Sequence, residues 1–323
     1  MAEVIAAEGL VKRFWNRLGP LRRVEIHAVN GVDLGVNAGD SIGVVGESGC
    51  GKSTLARMMV GLEHPTEGVV RFEGDAVVDA DGWRRLRRAV QYVFQDPYGS
   101  LPPKMSVESV LTDPLRINKI GDTRSQAERV RRYVELVGLV PSDLYRYPAE
   151  FSGGQRQRIS IARALVLEPK VVLFDETTSG LDVSIQAQVL NLLVELQERL
   201  GIGWLFISHD LRVIRYLSRD VAVMYLGLIV ERGPAEDVFE QPLHPYTRGL
   251  LDSMPDHRRV EVGLARRPLA RIAGEPPSAL DETVGCPFAP RCPIAQDVCR
   301  EVAPDEQAVA GRTVRCHFPG AFA

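Results

Sequence analysis

The sequence predicts an α/β fold built on a parallel β-sheet. Three short apolar runs have the composition of strands that are buried on both faces: residues 41–46, 171–175 and 204–208. Between the last two, apolar side chains recur every three or four positions from Val183 to Leu200, and Gly201 follows. This pattern is typical of an amphipathic helix that stops at a glycine. A strand, a helix and a second strand of these lengths predict crossover connections in a parallel sheet.

Three regions depart from this alternation. Residues 1–40 predict short antiparallel strands, and the basic segment Trp15–His27, which contains a Gly-Pro pair, predicts a surface loop between them. Residues from about 96 to 165 have a helical pattern and predict an insertion. From residue 241 the sequence is Pro-rich and irregular. We therefore expect a core domain, residues 1–240, that contains the helical insertion, and a small loop-rich C-terminal extension, residues 241–323.

Composition and charge narrow the class of protein. The 323 residues are 45% hydrophobic and 25% charged, as in ordinary globular chains. The formal net charge of -3 disfavours nucleic acid as a partner, because nucleic-acid-binding domains are usually strongly basic. The N-terminal residues lack the pattern of a secretion signal, so we expect the chain to stay in the cytosol. The most apolar run, residues 221–230, is about half the ~20 residues of a membrane span and predicts two buried strands around a tight turn.

A phosphate-loop pattern, G-x-x-x-x-G-K-S, lies between the first buried strand and the helix that follows it. Its glycines allow backbone N–H groups to curl around phosphate oxygens at a helix N-terminus. Lys52 would reach the β- and γ-phosphates, and Ser53 would offer its hydroxyl to Mg²⁺. We assign Cys50, inside the loop, no chemistry of its own. The predicted nucleotide-binding residues are Gly46, Glu47, Ser48, Gly49, Cys50, Gly51, Lys52, Ser53 and Thr54.

An acidic pair ends the second buried strand. Asp175 would hold Mg²⁺, and Glu176 would polarise the attacking water as a general base. An Asp-Glu pair is by itself common at strand ends, where it is also typical of a solvated turn. Its position after a phosphate loop favours the catalytic interpretation.

Residues 151–158, Phe-Ser-Gly-Gly-Gln-Arg-Gln-Arg, resemble the signature motif of the ABC ATPase family. A serine N-cap followed by two glycines presents a helix N-terminus with unhindered N–H groups, which suits a γ-phosphate. The resemblance implies an ABC nucleotide-binding domain: a P-loop parallel-sheet core with an antiparallel β-subdomain and a helical insertion. It also implies that Ser152, Gly153, Gly154 and Gln155 contact ATP held by an opposite subunit, so that one chain holds half of each ATP site.

Further residues match this family in order along the chain. Gln95 resembles the Q-loop glutamine, which contacts Mg²⁺ and water and joins the core to the helical insertion. Asp182 resembles the D-loop aspartate at the dimer interface, although an N-cap of the next helix is an equally good interpretation. His209 resembles the switch histidine, which contacts the γ-phosphate and holds the catalytic geometry. The family also places an aromatic ring against adenine, for which Phe14 is our candidate, with Trp15 or ordinary core packing as alternatives.

Three segments narrow the resemblance to the oligopeptide/dipeptide importers: residues 94–101, 184–193 and 244–247. The first two favour the F-type ATPase subunit. This resemblance implies a heterodimer with a second ABC ATPase subunit, two transmembrane permease subunits, an extracytoplasmic substrate-binding protein and a peripheral position at the cytoplasmic face of the cell membrane. Importers of nickel, glutathione or another small solute are an alternative. A soluble ABC ATPase that acts on nucleic acid is another, but such chains usually carry two cassettes or a long coiled coil.

Four cysteines cluster in the extension, at Cys286, Cys292, Cys299 and Cys316, with gaps of five, six and sixteen residues. Zinc knuckles usually begin with a gap of about two to four residues. Four thiolates also suit an iron–sulfur cluster, and the oligopeptide-type tails that residues 285–293 resemble carry a [4Fe-4S] cluster. The resemblance thus implies a structural [4Fe-4S] cluster on these four cysteines, with Zn²⁺, free thiols or disulfides as alternatives.

Overall fold

The structure is a computed structural model that describes residues 3–18, 22–253, 274 and 284–321. The strands within these ranges are β1 (Ile5–Leu18), β2 (Arg22–Val36), β3 (Ser41–Val45), β4 (Glu67–Phe72), β5 (Asp75–Ala76), β6 (Val90–Val93), β7 (Val171–Asp175), β8 (Gly203–Ser208), β9 (Asp220–Tyr225), β10 (Leu228–Pro234), β11 (Gln307–Val309) and β12 (Arg312–Val314). The helices are α1 (Lys52–Met59), α2 (Ala80–Ala89), α3 (Pro97–Ser100), α4 (Val107–Ile117), α5 (Thr123–Leu136), α6 (Gly153–Leu165), α7 (Val183–Leu200), α8 (Leu211–Leu217), α9 (Ala235–Glu240), α10 (Pro245–Asp252) and α11 (Asp297–Glu301). No helix in the described ranges has the length and hydrophobicity of a membrane span.

The larger sheet has the strand order β11-β12-β10-β9-β3-β8-β7-β6 in the described part of the chain. Its centre is parallel, because β3 pairs with β8 and β9, and β7 pairs with β6 and β8. The predicted buried strands are β3, β7 and β8, so the prediction of a parallel-sheet core is confirmed. The predicted amphipathic helix is α7, and it ends at Gly201, whose left-handed φ of 61° suits glycine.

The smaller sheet, β2-β1-β4-β5, is antiparallel, as predicted for the N-terminal region. The predicted surface loop over Trp15–His27 is wrong, because β1 and β2 both continue into this segment. Ladder pairing holds the two strands together there, with Trp15 opposite Glu25. The basic residues therefore lie on a long hairpin rather than in a loop. The Gly-Pro pair at residues 19–20 falls outside the described residues.

The helical insertion lies between β6 and β7 and contains α3, α4, α5 and α6. Reciprocal capping boxes fix the starts of two of these helices. At α5, the side chain of Asp122 accepts a hydrogen bond from the N–H of Ser125, and the Ser125 hydroxyl contacts the N–H of Asp122. At α6, Ser152 and Gln155 make the equivalent pair. The serine of the signature segment therefore defines where α6 begins.

Both faces of the larger sheet are buried. Along β8, Trp204 and Phe206 belong to the core cluster that also contains α6 and α7, whereas Leu205 and Ile207 belong to the cluster formed with α1 and the smaller sheet. Trp204 also stacks on Phe174 of β7, with ring centroids 4.8 Å apart. Full burial of a large apolar side chain stabilises the fold by about 1.5–3 kcal/mol. This packing fixes the carboxyl ends of β7 and β8 relative to each other.

The C-terminal extension continues the larger sheet, because β12 pairs with β10. A buried ion pair stabilises this junction. Glu231 on β10 is fully buried, and its carboxylate accepts hydrogen bonds from the N–H groups of Leu243 (2.8 Å) and His244 (2.9 Å). Nη1 of Arg312 on β12 lies 3.3 Å from the same carboxylate and also donates to two backbone carbonyls at and after α9. The extension is therefore joined to the core by strand pairing and by a buried charge network.

We expect Glu231→Ala to lower the free energy of unfolding by about 3–5 kcal/mol, because Arg312 would keep its charge in the interior without a carboxylate partner. The matched control is Glu306→Ala, which removes the partner of Arg315 from a partly exposed ion pair. Such a pair contributes less than about 1 kcal/mol. Chemical denaturation of the purified full-length chain measures both changes. Equal losses in the two variants would contradict a buried anchor at Glu231.

Candidate functional site

The phosphate loop connects β3 to α1. Gly51, just before α1, has a φ of 106°, and a Cβ atom there would lie 2.1 Å from the carbonyl oxygen of Ala28, so glycine is required. Lys52 is 5% exposed, and its Nζ donates to the carbonyls of Gly46 (2.8 Å) and Glu47 (3.0 Å). The loop thus encloses a positive charge beside a helix N-terminus. This arrangement suits a phosphate group.

Asp175, at the end of β7, is 1% exposed and is contacted by side chains from α1 and β6. The Ser53 hydroxyl donates to Oδ1 at 2.7 Å, and the Tyr92 hydroxyl donates to Oδ2 at 2.5 Å. The Arg57 guanidinium lies 4.0 Å from Oδ2. Burial, together with the Asp175 charge, raises the pKa of Tyr92 well above its usual range, so the phenol stays a neutral donor. Ser53 and Asp175 are adjacent oxygen donors of the kind that Mg²⁺ prefers.

Glu176 follows in a left-handed conformation, with a φ of 47° that residues other than glycine rarely adopt. Its N–H donates to the carbonyl of Ile207 at 2.9 Å. Its carboxylate lies between two predicted site residues: Gln95 Nε2 donates to Oε2 at 3.1 Å, and His209 Nδ1 lies 3.3 Å from Oε1. Backbone strain of this kind is concentrated at functional sites. The structure therefore brings the three predicted catalytic side chains into contact.

The signature segment and Asp182 form a second group of predicted site residues. The Asp182 carboxylate accepts a hydrogen bond from the N–H of Ile185 (3.0 Å) and thereby caps α7, as one of its two interpretations predicts. A Cβ atom on Gly154 would lie 2.3 Å from the Ile185 side chain, so α6 and α7 begin in close contact. Among the described residues, no hydrogen bond or ion pair links Ser152–Gln155 or Asp182 to the phosphate loop or to the Asp175–Glu176 pair at the end of β7.

The two candidates for an adenine contact lie next to each other on β1. Phe14 is half-buried, and Lys12 Nζ lies 4.9 Å from its ring centroid. Trp15 is 67% exposed, and its side chain points to the opposite face of the strand because consecutive strand residues alternate. Phe14 is therefore the more buried ring and Trp15 the more accessible one.

The four cysteines of the extension line one small cavity, together with His244 and several apolar residues. All five cysteines of the chain are free thiols. Burial and the neighbouring thiols raise the pKa of Cys286 and Cys292 and raise that of Cys316 to about 11. Burial lowers the pKa of His244 to about 3, so its ring is neutral. Within the described part of the chain, no three Cys, His, Asp or Glu side chains converge as ligands of a single metal ion.

Two features of the site escape prediction from the sequence. The Tyr92 hydroxyl donates a hydrogen bond to Asp175. An aromatic residue on the strand next to β7 is only a weak sequence signal for this contact. The extension contacts the phosphate loop at Glu47: the Tyr246 hydroxyl accepts a hydrogen bond from its N–H, and Arg291 pairs with its carboxylate. These partners are 199 and 244 residues away in sequence, and no local pattern signals them.

Comparisons with known proteins agree with this geometry. The family described as "ABC transporter" matches residues 29–179, and the family described as "Oligopeptide/dipeptide transporter, C-terminal region" matches residues 230–299. The di/tripeptide transport ATP-binding protein DppF of Pseudomonas aeruginosa is 45% identical to this chain, over 100% of this chain and 99% of its own length. The oligopeptide transport ATP-binding protein OppF of Salmonella typhimurium is also 45% identical, over 90% of this chain and 87% of its own length.

A solved structure is similar over most of the chain. The ATP-binding cassette MJ0796, solved as a dimer bound to ADP and Pi, has a TM-score of 0.63 and 26% identity, and the match covers 72% of this chain and 98% of that one. The predictions of an ABC fold, of an ATP-hydrolysing subunit and of the F-type are confirmed. This chain belongs to the ATP-binding proteins of the oligopeptide/dipeptide ABC transporter family.

Proposed function

We propose that this chain hydrolyses MgATP to drive the uptake of dipeptides or oligopeptides through membrane permease subunits. The observation that carries the proposal is the Glu176 carboxylate, which lies between Gln95 and His209 and directly follows the Asp175–Ser53 pair. A base, oxygen ligands for Mg²⁺ and a phosphate loop at one edge of a sheet are the parts that phosphoryl transfer to water requires. The names of the relatives and the match of the C-terminal region support peptides over nickel, glutathione or another small solute.

The phosphate loop and the first turn of α1 bind the nucleotide. Backbone N–H groups of the loop donate to the phosphates, and Lys52 adds a positive charge from within the loop. Ser53 and Asp175 are the ligands that fit Mg²⁺, with Gln95 as a further oxygen donor. When bound there, Mg²⁺ would offset negative charge on the β- and γ-phosphates. Phe14 packs against the adenine ring, with Trp15 as the alternative.

The general base is Glu176. Gln95 and His209 contact different oxygens of its carboxylate, which restricts the side chain to one orientation. The side chain is 16% exposed, so water reaches it while most of its surroundings are protein. In this orientation the carboxylate accepts a proton from the attacking water. His209 then acts as a positioning residue for the base and contacts the γ-phosphate.

We expect Glu176→Gln to lower the rate of ATP hydrolysis about 100-fold or more, because an amide keeps the shape of the carboxylate but is not a base. Nucleotide binding should persist. The matched control, Glu195→Gln, makes the same change on the exposed surface of α7, and hydrolysis should stay at the wild-type rate. Phosphate release by the assembled transporter measures both variants. Near-normal release when both cassettes carry the corresponding change would falsify the assignment of the base.

A complete ATP site needs a second subunit in this proposal. The signature segment has no hydrogen bond to the phosphate loop of its own chain within the described residues. Ser152 is exposed and caps a helix N-terminus that suits a γ-phosphate. The solved cassette MJ0796 is a dimer. We infer a heterodimer with a different ABC ATPase subunit, positioned at the cytoplasmic face of the membrane with two permease subunits and served by an extracytoplasmic substrate-binding protein. Asp182 lies at the interface of this dimer in addition to capping α7.

Purification of the detergent-solubilised complex through a tag on this chain should recover a second ATPase subunit and the permease subunits. Mass spectrometry of the purified complex identifies each component. Recovery of the chain alone, or with nucleic acid, contradicts the transporter proposal. Recovery with permeases and a second copy of this chain contradicts the heterodimer and leaves the transporter in place.

A [4Fe-4S] cluster on Cys286, Cys292, Cys299 and Cys316 is the cofactor that we propose for the extension. The four thiols line the same cavity, and a bound cationic centre would offset the cost of ionising buried thiols. Within the described residues no three side chains converge on a single metal ion, so the proposal rests on the shared cavity and on the resemblance of residues 285–293. Bound to these four cysteines, a cluster would cross-link the segments of the extension that carry them.

The full-length chain, purified without oxygen, should contain iron and acid-labile sulfide and show the broad visible absorbance of an iron–sulfur cluster. Cys292→Ser should remove most of the iron, because it deletes one ligand. Cys50→Ser should keep it, because that thiol lies in the phosphate loop. A wild-type chain with neither iron nor sulfide contradicts the cluster, and one zinc per chain would favour the alternative metal.

A further inference from the structure

The C-terminal extension holds the phosphate loop from outside. Glu47, the second residue of the loop, is contacted at each of its polar groups. Its N–H donates to the hydroxyl of Tyr246 at 2.9 Å, its carbonyl accepts a hydrogen bond from Lys52 at 3.0 Å, and its carboxylate pairs with Arg291. Tyr246 and Arg291 both belong to the segment after residue 240. One residue of the loop is therefore fixed in two ways by the extension.

The contact between Arg291 and Glu47 is bidentate and largely buried. Nη1 donates to Oε2 at 2.8 Å and Nη2 donates to Oε1 at 2.9 Å. The side chain of Arg291 is 6% exposed and that of Glu47 is 26% exposed. Nη2 also donates to the carbonyl of Gly274 at 3.1 Å. A bidentate pair fixes direction as well as charge. Arg291 therefore orients the Glu47 side chain and neutralises it.

The backbone that carries Arg291 is firmly supported. Arg291 ends a short 3-10 turn, Ala289–Arg291, that follows Phe288. The Phe288 ring packs edge-on against Tyr225 of β9 and Tyr246 of α10, with ring centroids 5.3 and 5.5 Å apart. All three rings are buried. Because aromatic clusters of this kind stabilise a fixed arrangement, the guanidinium is presented to the loop from a rigid base.

We propose that Arg291 is a positioning residue for ATP binding, through which the extension orders the phosphate loop and cancels the charge of Glu47. An uncompensated carboxylate in this loop would repel the polyphosphate. A loop that is already ordered also loses less conformational entropy when the nucleotide binds. Both effects act on binding and not on the chemical step, so they change KM more than kcat. The inference rests on nucleotide binding at the loop and is independent of the iron–sulfur proposal.

We expect substitutions of Arg291 and of Glu47 to weaken nucleotide binding to different extents. Arg291→Met leaves the Glu47 charge uncompensated and should raise the Kd and KM for MgATP about tenfold. Arg291→Lys keeps the charge but loses the two-point contact, so an increase of about threefold is expected. Glu47→Gln removes the charge and keeps an oxygen acceptor for Arg291, so it should weaken nucleotide binding less than Arg291→Met does. The double variant Arg291→Met/Glu47→Gln should bind more tightly than Arg291→Met alone.

The matched control is Arg300→Met, which removes an exposed arginine of the same extension, paired with Asp297 across the surface of α11. Its Kd for nucleotide should equal that of the wild type. Fluorescence titration of the purified full-length chain with a labelled ATP and Mg²⁺ gives Kd, and phosphate release by the assembled transporter gives KM and kcat. Added salt should narrow the gap between Arg291→Met and wild type, because the repulsion from Glu47 is screened.

Equal Kd values for Arg291→Met and Arg300→Met overturn the proposal. So does a Glu47→Gln variant that binds as weakly as Arg291→Met, because a purely structural pair would lose the same contact from either side. A lower kcat with unchanged KM overturns it as well. Circular dichroism monitors folding, and if Arg291→Met is unfolded, the comparison of Arg291→Lys with Glu47→Gln decides the question. A folded wild-type chain that binds no nucleotide contradicts the proposed ATPase function itself.

Discussion

The relative positions of the phosphate loop, Glu176 and His209 depend on the parallel pairing of β3, β8 and β7. Asp175 at the end of β7 lies beside Ile207 of β8, and β3 pairs with the other edge of β8. Because parallel strands end at the same edge of a sheet, the phosphate loop, Glu176 and His209 all follow strands that finish together. The hydrogen bond of 2.7 Å between Ser53 and Asp175 then joins the first helix to this edge. A shift of one residue in strand pairing would turn Asp175 toward the opposite face of the sheet.

Packing on the two faces of the sheet keeps that pairing fixed. Phe174, next to Asp175, stacks on Trp204 and Phe206 of β8 with ring centroids 4.8 and 5.0 Å apart. The left-handed backbone of Glu176 costs on the order of 1–3 kcal/mol. Such a conformation persists where its surroundings determine it, and here the strand before it is buried and its own N–H is bonded to β8. Glu176 is therefore strained in its backbone and contacted at both oxygens of its side chain.

The sequence predicts the parts of this arrangement that are encoded locally. Apolar runs mark β3, β7 and β8, periodicity marks α7, and the serine cap marks the start of α6. The prediction that Trp15–His27 forms a loop was wrong, because polar composition does not reveal the backbone hydrogen bonds that a neighbouring strand supplies. Tyr92 and Arg291 act through contacts with residues far away in sequence, 83 and 244 positions from their partners. Periodicity and motif spacing relate residues that are close together in the sequence. They therefore do not predict contacts between residues this far apart.

Three separate contacts join the extension to the rest of the chain. Strand β12 adds to the main sheet, the buried Glu231–Arg312 pair closes the junction, and Arg291 reaches the phosphate loop. Arg291 lies in a turn between Cys286 and Cys292, and hydrogen bonds from the N–H of Ala289 to Cys286 and from the N–H of Cys292 to Ala289 tie the turn to both cysteines. Any group that holds these two thiols also restricts the backbone that carries the guanidinium. The cysteine cavity and the phosphate loop are therefore connected through a turn of a few residues.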